Sequence, residues 1–252
     1  MLGTFGTGVF LATRTDVANS TPEPFAVLQS TNFDFGFTTK PLFGLNQFAV
    51  FVARGEGKWT GKAKWATISL GLMNALFFGQ TLTTGGTQLA ANEAHTVPAM
   101  TPFVVTPTNV STFVGDEGVQ YVGLPPQPLT LTTGAPGTSG LYEAPATTAG
   151  AYTFNSGDAS AAVLINYLYT VTSGQNIALT SQILGTTPTF KAVFRNRDPK
   201  TGLYDTLLLN QCTASKLAFE SKTSDYTMPE LDFEIFTDSN GNIGTLTTGD
   251  LT

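Results

Sequence analysis

Few side chains in this sequence are of the types that perform catalysis. His95 is the only histidine, so a hydrolase built on a serine–histidine pair would have to use it. It lies in residues 92–96, a polar stretch that we predict to be a loop, and no Gly-x-Ser-x-Gly elbow accompanies it. We therefore interpret His95 as a solvated loop residue and expect neither an enzyme nor a cofactor.

Two stretches have part of the spacing of an ion-binding loop. Residues 54–62 combine glycines with lysines, which can cradle a phosphate, but the spacing from Gly to Gly-Lys is wrong and Ala63 replaces the hydroxyl that binds magnesium. Residues 238–242 begin like a calcium loop, but the glycine comes too early and Gly249 stands where a bidentate glutamate is required. A strand explains the first stretch better and a hairpin turn the second, so no metal site is predicted.

Carboxylate pairs and the single cysteine are the remaining candidates for chemistry. Asp116 with Glu117, or Asp232 with Glu234, would supply the two acids of a glycosidase, but neighbouring acids along a strand are more often a hydrated surface. Cys212 is the only cysteine, which excludes an intrachain disulfide. We interpret it as a small, half-buried apolar side chain in a strand rather than as a nucleophile.

The C-terminal part of the sequence contains a strand whose two faces differ. Apolar and acidic residues alternate along residues 229–236, which is the period of a half-buried strand. An Asn-Gly pair in residues 238–242 predicts a tight hairpin turn, and residues 216–219 and 243–246 supply the strands on either side, completing a three-stranded meander. The solvent face of the middle strand carries three acids: Glu230, Asp232 and Glu234.

A second long strand is predicted from Gln47 to Ala66, and it carries basic residues on one face. Trp59 and Trp65 alternate with these charges, so we expect the two tryptophans to pack inward. After it, Ser69 is positioned to cap a short helix that runs through Phe78. The basic face of the strand is a candidate interface formed by Lys58, Lys62 and Lys64.

Composition limits the partners that this chain can bind. Only 12% of the residues are charged, against about 25% in an average soluble domain, so a surface of this kind is suited to assembly. From Trp65 through Phe190 there is no Lys or Arg, which argues against a nucleic acid held through its phosphates. The longest apolar run, residues 48–53, is too short to span a bilayer, and the first residues lack a secretion signal, so we expect no membrane anchor and synthesis in a cytoplasm.

The elements divide the chain into three parts. Residues 1–24 are rich in Gly, Thr, Ala and Pro with little periodicity, and we predict an extended N-terminal arm that needs a neighbour to become ordered. Residues 25–98 and 171–252 form one β-domain. Residues 99–170 contain short strands between turn residues, which predicts a small inserted β-sandwich-like domain.

The C-terminal sequence resembles the corresponding end of the tail tube proteins of long-tailed bacteriophages. The similarity lies in residues 216–219, 222–230, 233–238 and 241–244, and it continues more weakly through residues 49–58, 74–81 and 184–191. The resemblance implies a mainly β fold, with a two-sheet sandwich or barrel as the tube domain, one short helix and an immunoglobulin-like insertion. It also implies a structural virion protein, made in the host bacterial cytoplasm and incorporated into the tail.

In that family, hexameric rings of the subunit stack into a tube, contact other tail proteins and let DNA pass through a negatively charged lumen without specific binding. The resemblance makes Glu230, Asp232 and Glu234 a candidate lumen or inter-ring acidic face, since carboxylates repel phosphate. Alternatively, these acids simply face solvent or pair with Lys58, Lys62 or Lys64 across an interface. Removal of residues 1–24 is expected to leave a folded monomer that cannot stack.

Other functions remain open at this point. A carbohydrate-binding or adhesive β-sandwich module would use flat aromatic rings, for which Trp59, Trp65 and Tyr121 are the candidates. Another virion component, such as a tail terminator or a capsid decoration protein, would share the same composition.

Overall fold

The computed structural model describes residues 6–67, 69–146 and 150–249, and it is mainly β-structure. The helical segments are α1 (Leu70–Met73), a π-helical turn (Asn74–Phe78) and two 3-10 turns (Val110–Thr112 and Ser156–Asp158). In chain order the strands are β1 (Val9–Arg14), β2 (Glu23–Pro24), β3 (Leu28–Phe43), β4 (Ala49–Trp65), β5 (Leu82–Thr96), β6 (Val104–Val105), β7 (Phe113–Tyr121), β8 (Gln127–Pro128), β9 (Thr130–Leu131), β10 (Leu141–Glu143), β11 (Tyr152–Phe154), β12 (Ala162–Ile177), β13 (Thr189–Arg197), β14 (Tyr204–Lys222), β15 (Asp225–Phe236) and β16 (Gly244–Gly249).

The chain forms two compact units. The first contains residues 1–82 and 177–252, and the second contains residues 83–176. These borders differ from the expected ones at residues 98/99 and 170/171. The reason is that β5 is a hydrogen-bonded neighbour of β12, so both long strands belong to the second unit along nearly their whole length.

The first unit contains one eight-stranded sheet with the order β2-β1-β13-β14-β15-β4-β3, and β16 also pairs with β14. The resemblance implied a two-sheet sandwich or barrel here. In a flat sheet, β1 and β3 would be roughly 24 Å apart, five strand spacings. The rings of Phe10 in β1 and Phe33 in β3 are nevertheless 6.4 Å apart. The single sheet therefore curves over itself and encloses the core that two sheets were expected to enclose.

The predicted periodicity of β4 and β15 is confirmed by the core of the first unit. Ala63 and Trp65 are buried, and Trp59 packs against the same cluster. Gly61 has no side chain because a Cβ at this position would collide with the ring of Phe233 on the neighbouring strand. The inward residues of β15 are fully or nearly fully buried: Leu231, Phe233 and Ile235.

The expected N-terminal arm is wrong for residues 9–14. They form β1, which pairs with β13 from Val9 to Arg14, and β2 pairs with β1 on the other side. Phe10 and Ala12 are fully buried, and the Phe10 ring lies 4.5 Å from Phe25 and 5.9 Å from Phe233. Two apolar residues at alternate positions were enough to recruit this segment into the sheet. Residues 1–5 of the expected arm lie outside the described residues.

The short helix begins at the predicted cap and ends at the predicted glycine. The Ser69 side chain accepts a hydrogen bond from the Leu72 N–H at 3.3 Å, and Gly79 takes the left-handed conformation at φ 62°. The second half is a π-helical turn rather than an α-helical one. Its first residue, Asn74, ties the following chain by donating to Gln80 O at 2.7 Å and accepting from Gln80 N at 2.9 Å.

The predicted meander is correct for its first two strands and wrong for the third. β14 and β15 form a hairpin, but β16 pairs with β14 and not with β15. Both β15 and β16 run antiparallel to β14, one after the other along its length. Residues 237–243 therefore connect two strands that continue in the same direction. Asp238 shapes this loop by accepting hydrogen bonds from the N–H groups of Asn240 and Asn242.

The second unit is built from two four-stranded sheets, β6-β11-β10-β9 and β5-β12-β7-β8. Side chains from both sheets belong to one buried cluster, so the sheets pack face to face, as expected for a β-sandwich. The alternation predicted for residues 162–169 is confirmed by three buried side chains on one face of β12: Val163, Ile165 and Tyr167.

Candidate functional site

The structure places the two charged candidate faces side by side on one surface of the first unit. β15 pairs with β4 so that Glu230 lies opposite Lys64 and Asp232 lies opposite Lys62. Their side chains point away from the core because the residues between them, among them Ala63 and Leu231, are buried. One expectation paired these acids with the lysines across an interface, whereas the structure makes them neighbours within one chain.

Ion pairs link these neighbours. Lys62 Nζ lies 2.9 Å from Glu230 Oε1 and 3.2 Å from Asp232 Oδ1, and Lys58 Nζ lies 3.3 Å from Glu234 Oε1. The hydrogen bond from Lys62 lowers the pKa of Glu230, and the same bond, with help from Asp232, raises the pKa of Lys62. Three lysines and three acids give this surface a formal charge near zero. Water screens exposed pairs of this kind, so they contribute little to stability and define the surface more than they hold the fold.

The end of the β3–β4 hairpin exposes a contiguous set of apolar side chains. We call residues 37–55 the hairpin arm. The two strands stay paired from Thr39 opposite Arg54 to Phe43 opposite Ala49. Leu45 and Phe48 in the connection are almost fully exposed, and the flanking strand residues expose more than half of their area: Leu42 64%, Phe43 60%, Val50 72%, Phe51 63% and Val52 56%.

Sequence reasoning identified the strand but missed the exposure of the hairpin arm. Phe, Val and Ala are among the residues most often buried, so the apolar run at residues 48–53 does not by itself indicate an exposed surface. The signal that marks the arm is the loss of alternation. Residues 58–65 alternate between charged or polar side chains and inward aromatic or small ones, whereas residues 41–53 are apolar at nearly every position and contain no charge. Both faces of the ribbon are therefore alike.

His95 was predicted to be a solvated loop residue, and this is wrong. It lies in β5, is partly buried, and its Nε2 atom lies 2.7 Å from Glu93 Oε1. Glu93 also accepts hydrogen bonds from Thr108 N at 2.8 Å, Thr108 Oγ1 at 2.7 Å and the Tyr167 hydroxyl at 2.5 Å. Burial alone would raise the pKa of Glu93, but these hydrogen bonds outweigh it and lower the pKa to about 2.

Two more carboxylates of the second unit hold tyrosine hydroxyls. Asp116 accepts from Tyr142 at 2.6 Å and Tyr152 at 2.8 Å, and the buried Asp158 accepts from Tyr121 at 2.5 Å. Burial and the adjacent carboxylate raise the pKa of Tyr142 and of Tyr152. These hydroxyls stay protonated at neutral pH and act as donors. The arrangement satisfies charges inside a sandwich, which is a structural role.

The remaining candidates for chemistry have structural roles as well. Cys212 is buried in β14, and burial raises its pKa to about 12, so it is not a thiolate at neutral pH. Residues 54–62 lie within β4, and residues 238–242 form the turn described above. Across the described ranges, no group of three or more His, Cys, Asp or Glu side chains is arranged to hold a metal ion.

The aromatic residues proposed for sugar binding are not available as flat exposed rings. Trp65 is buried, and its ring makes an edge contact with Phe25 at 5.0 Å. Trp59 packs against Phe35 at 4.7 Å, and the Tyr121 hydroxyl is engaged by Asp158. These three side chains do not form the platform that a carbohydrate module requires.

No family model and no curated protein matches this chain. None of the helical segments in the described part of the chain is long and apolar enough to cross a bilayer. Among the described residues, the features that remain as candidates for a function are the charge-balanced face of β4 and β15 and the exposed apolar hairpin arm.

Proposed function

We propose that this chain is a structural virion protein, the subunit of a phage tail tube that assembles as stacked homohexameric rings around a channel for DNA ejection. Its partners are then other copies of itself and other tail proteins, and DNA passes without specific binding. Assembly takes place in the host bacterial cytoplasm, and the product is part of the tail. The observation that carries the proposal is the hairpin arm, whose apolar side chains are exposed and are not covered by any of the residues that the structure describes.

Self-association would bury the apolar side chains of the hairpin arm. Exposed apolar patches of this kind are typical of interaction sites, because their burial against a partner releases water. The strand edge of β16 adds a second reason to associate. It spans residues 244–249 without a charge or a proline, two of the features that protect an edge from pairing with another chain.

The charge-balanced face of β4 and β15 is better suited to an inter-ring contact than to the wall of a lumen. A purely acidic lumen wall requires carboxylates that remain uncompensated, but Lys62 pairs with Glu230 and Asp232, and Lys58 pairs with Glu234. A surface of alternating sign is better suited to contact with another subunit. We therefore favour the inter-ring version of the expectation for Glu230, Asp232 and Glu234 over the lumen version.

Negative-stain electron microscopy and light scattering of the purified protein over a range of concentrations test the proposal. Rings and hollow rods are the expected result, and the double variant Leu45→Ser/Phe48→Ser should stay monomeric because its arm has lost the apolar tip. The matched control is Met100→Ser/Leu124→Ser, which removes two exposed apolar side chains from the second unit and should assemble normally. A wild-type protein that remains monomeric at high concentration would overturn the proposal. Single rings without rods would instead favour a tail terminator.

A further inference from the structure

We infer that the first unit binds a lysine side chain of another polypeptide, and that Asp205 is the residue that receives it. The site is a cavity of about 190 Å³, and its walls are formed by Phe33, Phe194, Asn196, Asp205, Leu207 and Leu246. All six residues belong to the first unit. This site goes beyond the proposed function, and it holds whether or not the chain forms rings.

Asp205 lies on the core-facing side of β14, although it is an acid. Leu207 and Leu209 follow at alternate positions on the same side; Leu209 is fully buried, and Leu207 packs against the same cluster. Asp205 Oδ1 is buried and accepts no hydrogen bond from any described residue. A carboxylate oxygen that neither water nor a donor reaches leaves the charge poorly solvated. A cation beside this carboxylate compensates that loss.

The chain's own basic side chains do not supply this cation. All twelve Lys and Arg residues lie in the described ranges, and none of them forms an ion pair with Asp205. Arg195 and Arg197 flank the position opposite Asp205 in the register, but they lie over the ring of Tyr204, with guanidinium carbons 3.6 and 5.9 Å from its centroid. Tyr204 precedes Asp205 in β14 and therefore points to the opposite face. A compensating side-chain cation thus has to come from another molecule.

The polar side chain opposite Asp205 is already engaged elsewhere. Asn196 pairs with Asp205 across β13 and β14. Its amide nitrogen donates to Gly6 O at 3.3 Å, and its amide oxygen accepts from Arg197 N at 2.8 Å. Asn196 thus lines the cavity without solvating the carboxylate.

The walls of the cavity select the group that carries the cation. The rings of Phe33 and Phe194 are 5.4 Å apart, and with Leu207 and Leu246 they make four of the six lining residues apolar. A bare metal ion needs several oxygen ligands, whereas the site offers one carboxylate. A lysine side chain has the matching form, because its aliphatic stem packs against apolar walls and its compact ammonium group donates to a carboxylate.

The position of the cavity favours a lysine of a polypeptide over a free amine. Leu246 belongs to the edge strand β16 and is 74% exposed, so one wall of the cavity reaches the surface. The unpaired backbone of an edge strand can hydrogen-bond to another polypeptide, and a free amine has no backbone to place there. A peptide that lies beside β16 can therefore direct a side chain towards Asp205.

Methyl NMR of the dispersed, leucine-labelled protein tests the binding. The probes are N-acetyl-lysine N-methylamide and the norleucine analogue, which has the same stem without the ammonium group. The lysine probe should shift the methyl signals of Leu207 and Leu246 and bind at least about tenfold more tightly than the norleucine probe, since a charge-assisted hydrogen bond is added. Asp205→Asn should reduce its affinity to that of the norleucine probe. The signals of Leu124, in the second unit, should not move.

Thermal unfolding of the chain without a probe separates a binding role from a structural one. Asp205→Asn should raise the unfolding temperature by about 2–4 °C, because it removes a charge that the chain itself leaves unpaired. The matched control is Asp34→Asn, at an exposed position in β3, which should leave the unfolding temperature unchanged. A residue that only supports the fold would give a lower unfolding temperature when replaced.

Three results would overturn the inference. The first is equal affinity for the lysine and norleucine probes, and the second is a lower unfolding temperature for Asp205→Asn. The third is binding of n-butylammonium without binding of the blocked lysine, which would assign the site to a free amine. None of these results bears on whether the protein forms rings and rods, so the proposed function stands or falls separately.

Discussion

Glu93 has four hydrogen-bond donors around one carboxylate, and this arrangement explains why an acid can stay charged inside a sheet. The donors come from His95, Thr108 and Tyr167, on three separate parts of the second unit. A hydrogen bond to a charged acceptor contributes about 1.5–3 kcal/mol, more than a neutral one. Through these hydrogen bonds, Glu93 links β5 to β12 and to the segment before β7.

Replacement of this charge should weaken the second unit. We expect Glu93→Gln to lower its free energy of unfolding by about 1–3 kcal/mol at pH 7, because the amide keeps the shape but loses the charge and presents donors where acceptors are needed. Hydrogen exchange measured by mass spectrometry on peptides from residues 83–176 reports this change locally. Glu117→Gln, at an exposed position in β7, is the control and should have no effect.

The difference between Glu93→Gln and wild type should depend on pH in a defined direction. The folded-state pKa of about 2 is below the usual value of 4.5, so the contribution of Glu93 is fully present above pH 4.5. It is lost as the pH falls through about 2, where the folded form takes up the proton. The two proteins should therefore converge in stability near pH 2. A difference that stays constant from pH 7 to pH 2 would contradict the assigned role.

At the scale of single residues, the sequence predicted side-chain orientations that follow from local alternation. It missed side-chain environments that depend on residues far away in the chain. The inward positions of Trp59 and Trp65 follow from alternation along one strand, and the structure confirms them. The environment of His95 depends on Glu93, which in turn is held by a tyrosine 74 residues away in the chain. No local pattern contains that information.

β1 is a short strand, and its place in the sheet depends on two buried positions. Phe10 lies among the rings of Phe25, Phe33, Phe194 and Phe233, with centroid distances from 4.5 to 6.5 Å. We expect Phe10→Ala to destabilise the first unit by about 3–5 kcal/mol, since it opens a cavity in a packed aromatic cluster. Tryptophan fluorescence during urea unfolding measures this, because both tryptophans lie in that unit.

The neighbouring side chain provides the comparison for Phe10. Val9 lies in the same strand but is more than half exposed, so Val9→Ala should change stability by less than about 0.5 kcal/mol. Equal effects at both positions would mean that β1 is not packed as described. The same reasoning revises the expectation for residues 1–24: their removal takes away a core strand, and the product should unfold rather than remain as a folded monomer.

The sequence correctly predicted the elements that are specified by apolar periodicity or by helix-capping residues. Ser69 and Gly79 mark the helix in both the sequence and the structure, and the alternation in β15 gives its buried face. The partner of β16 was wrong because an Asn-Gly turn specifies a reversal only when the two flanking strands pair with each other. Here the length of β14 offers the last strand a different partner.

At the scale of the whole molecule, the two units should be separable. The second unit begins with β5 and ends with β12, which are neighbours in one sheet, and Thr83 Oγ1 donates to Asn176 O at 3.3 Å. We expect a chain in which a short Gly-Ser linker replaces residues 83–176 to fold and to assemble, because the hairpin arm belongs to the first unit. Electron microscopy and tryptophan fluorescence test this.

Deletion of the hairpin arm should have the opposite effect on assembly. A chain in which a two-residue Asn-Gly turn replaces residues 40–53 should fold but stay monomeric, since it retains the core and loses the arm. Assembly by the shortened hairpin, or unfolding of the chain that lacks the second unit, would contradict the division of roles between the two units. At this scale the compact unit spans residues 83–176 rather than the expected 99–170, because strand pairing, not composition, sets its borders.

The path of β15 and β16 along β14 leaves room for insertions in the loop between them. Because β14 holds both strands, residues 237–243 leave the sheet at one point and return to it at the next position along, and most of the loop's side chains lie in water. Extra residues placed there would protrude without altering the alignment of either strand. Foreign peptides grafted into this connection should therefore cost the fold little.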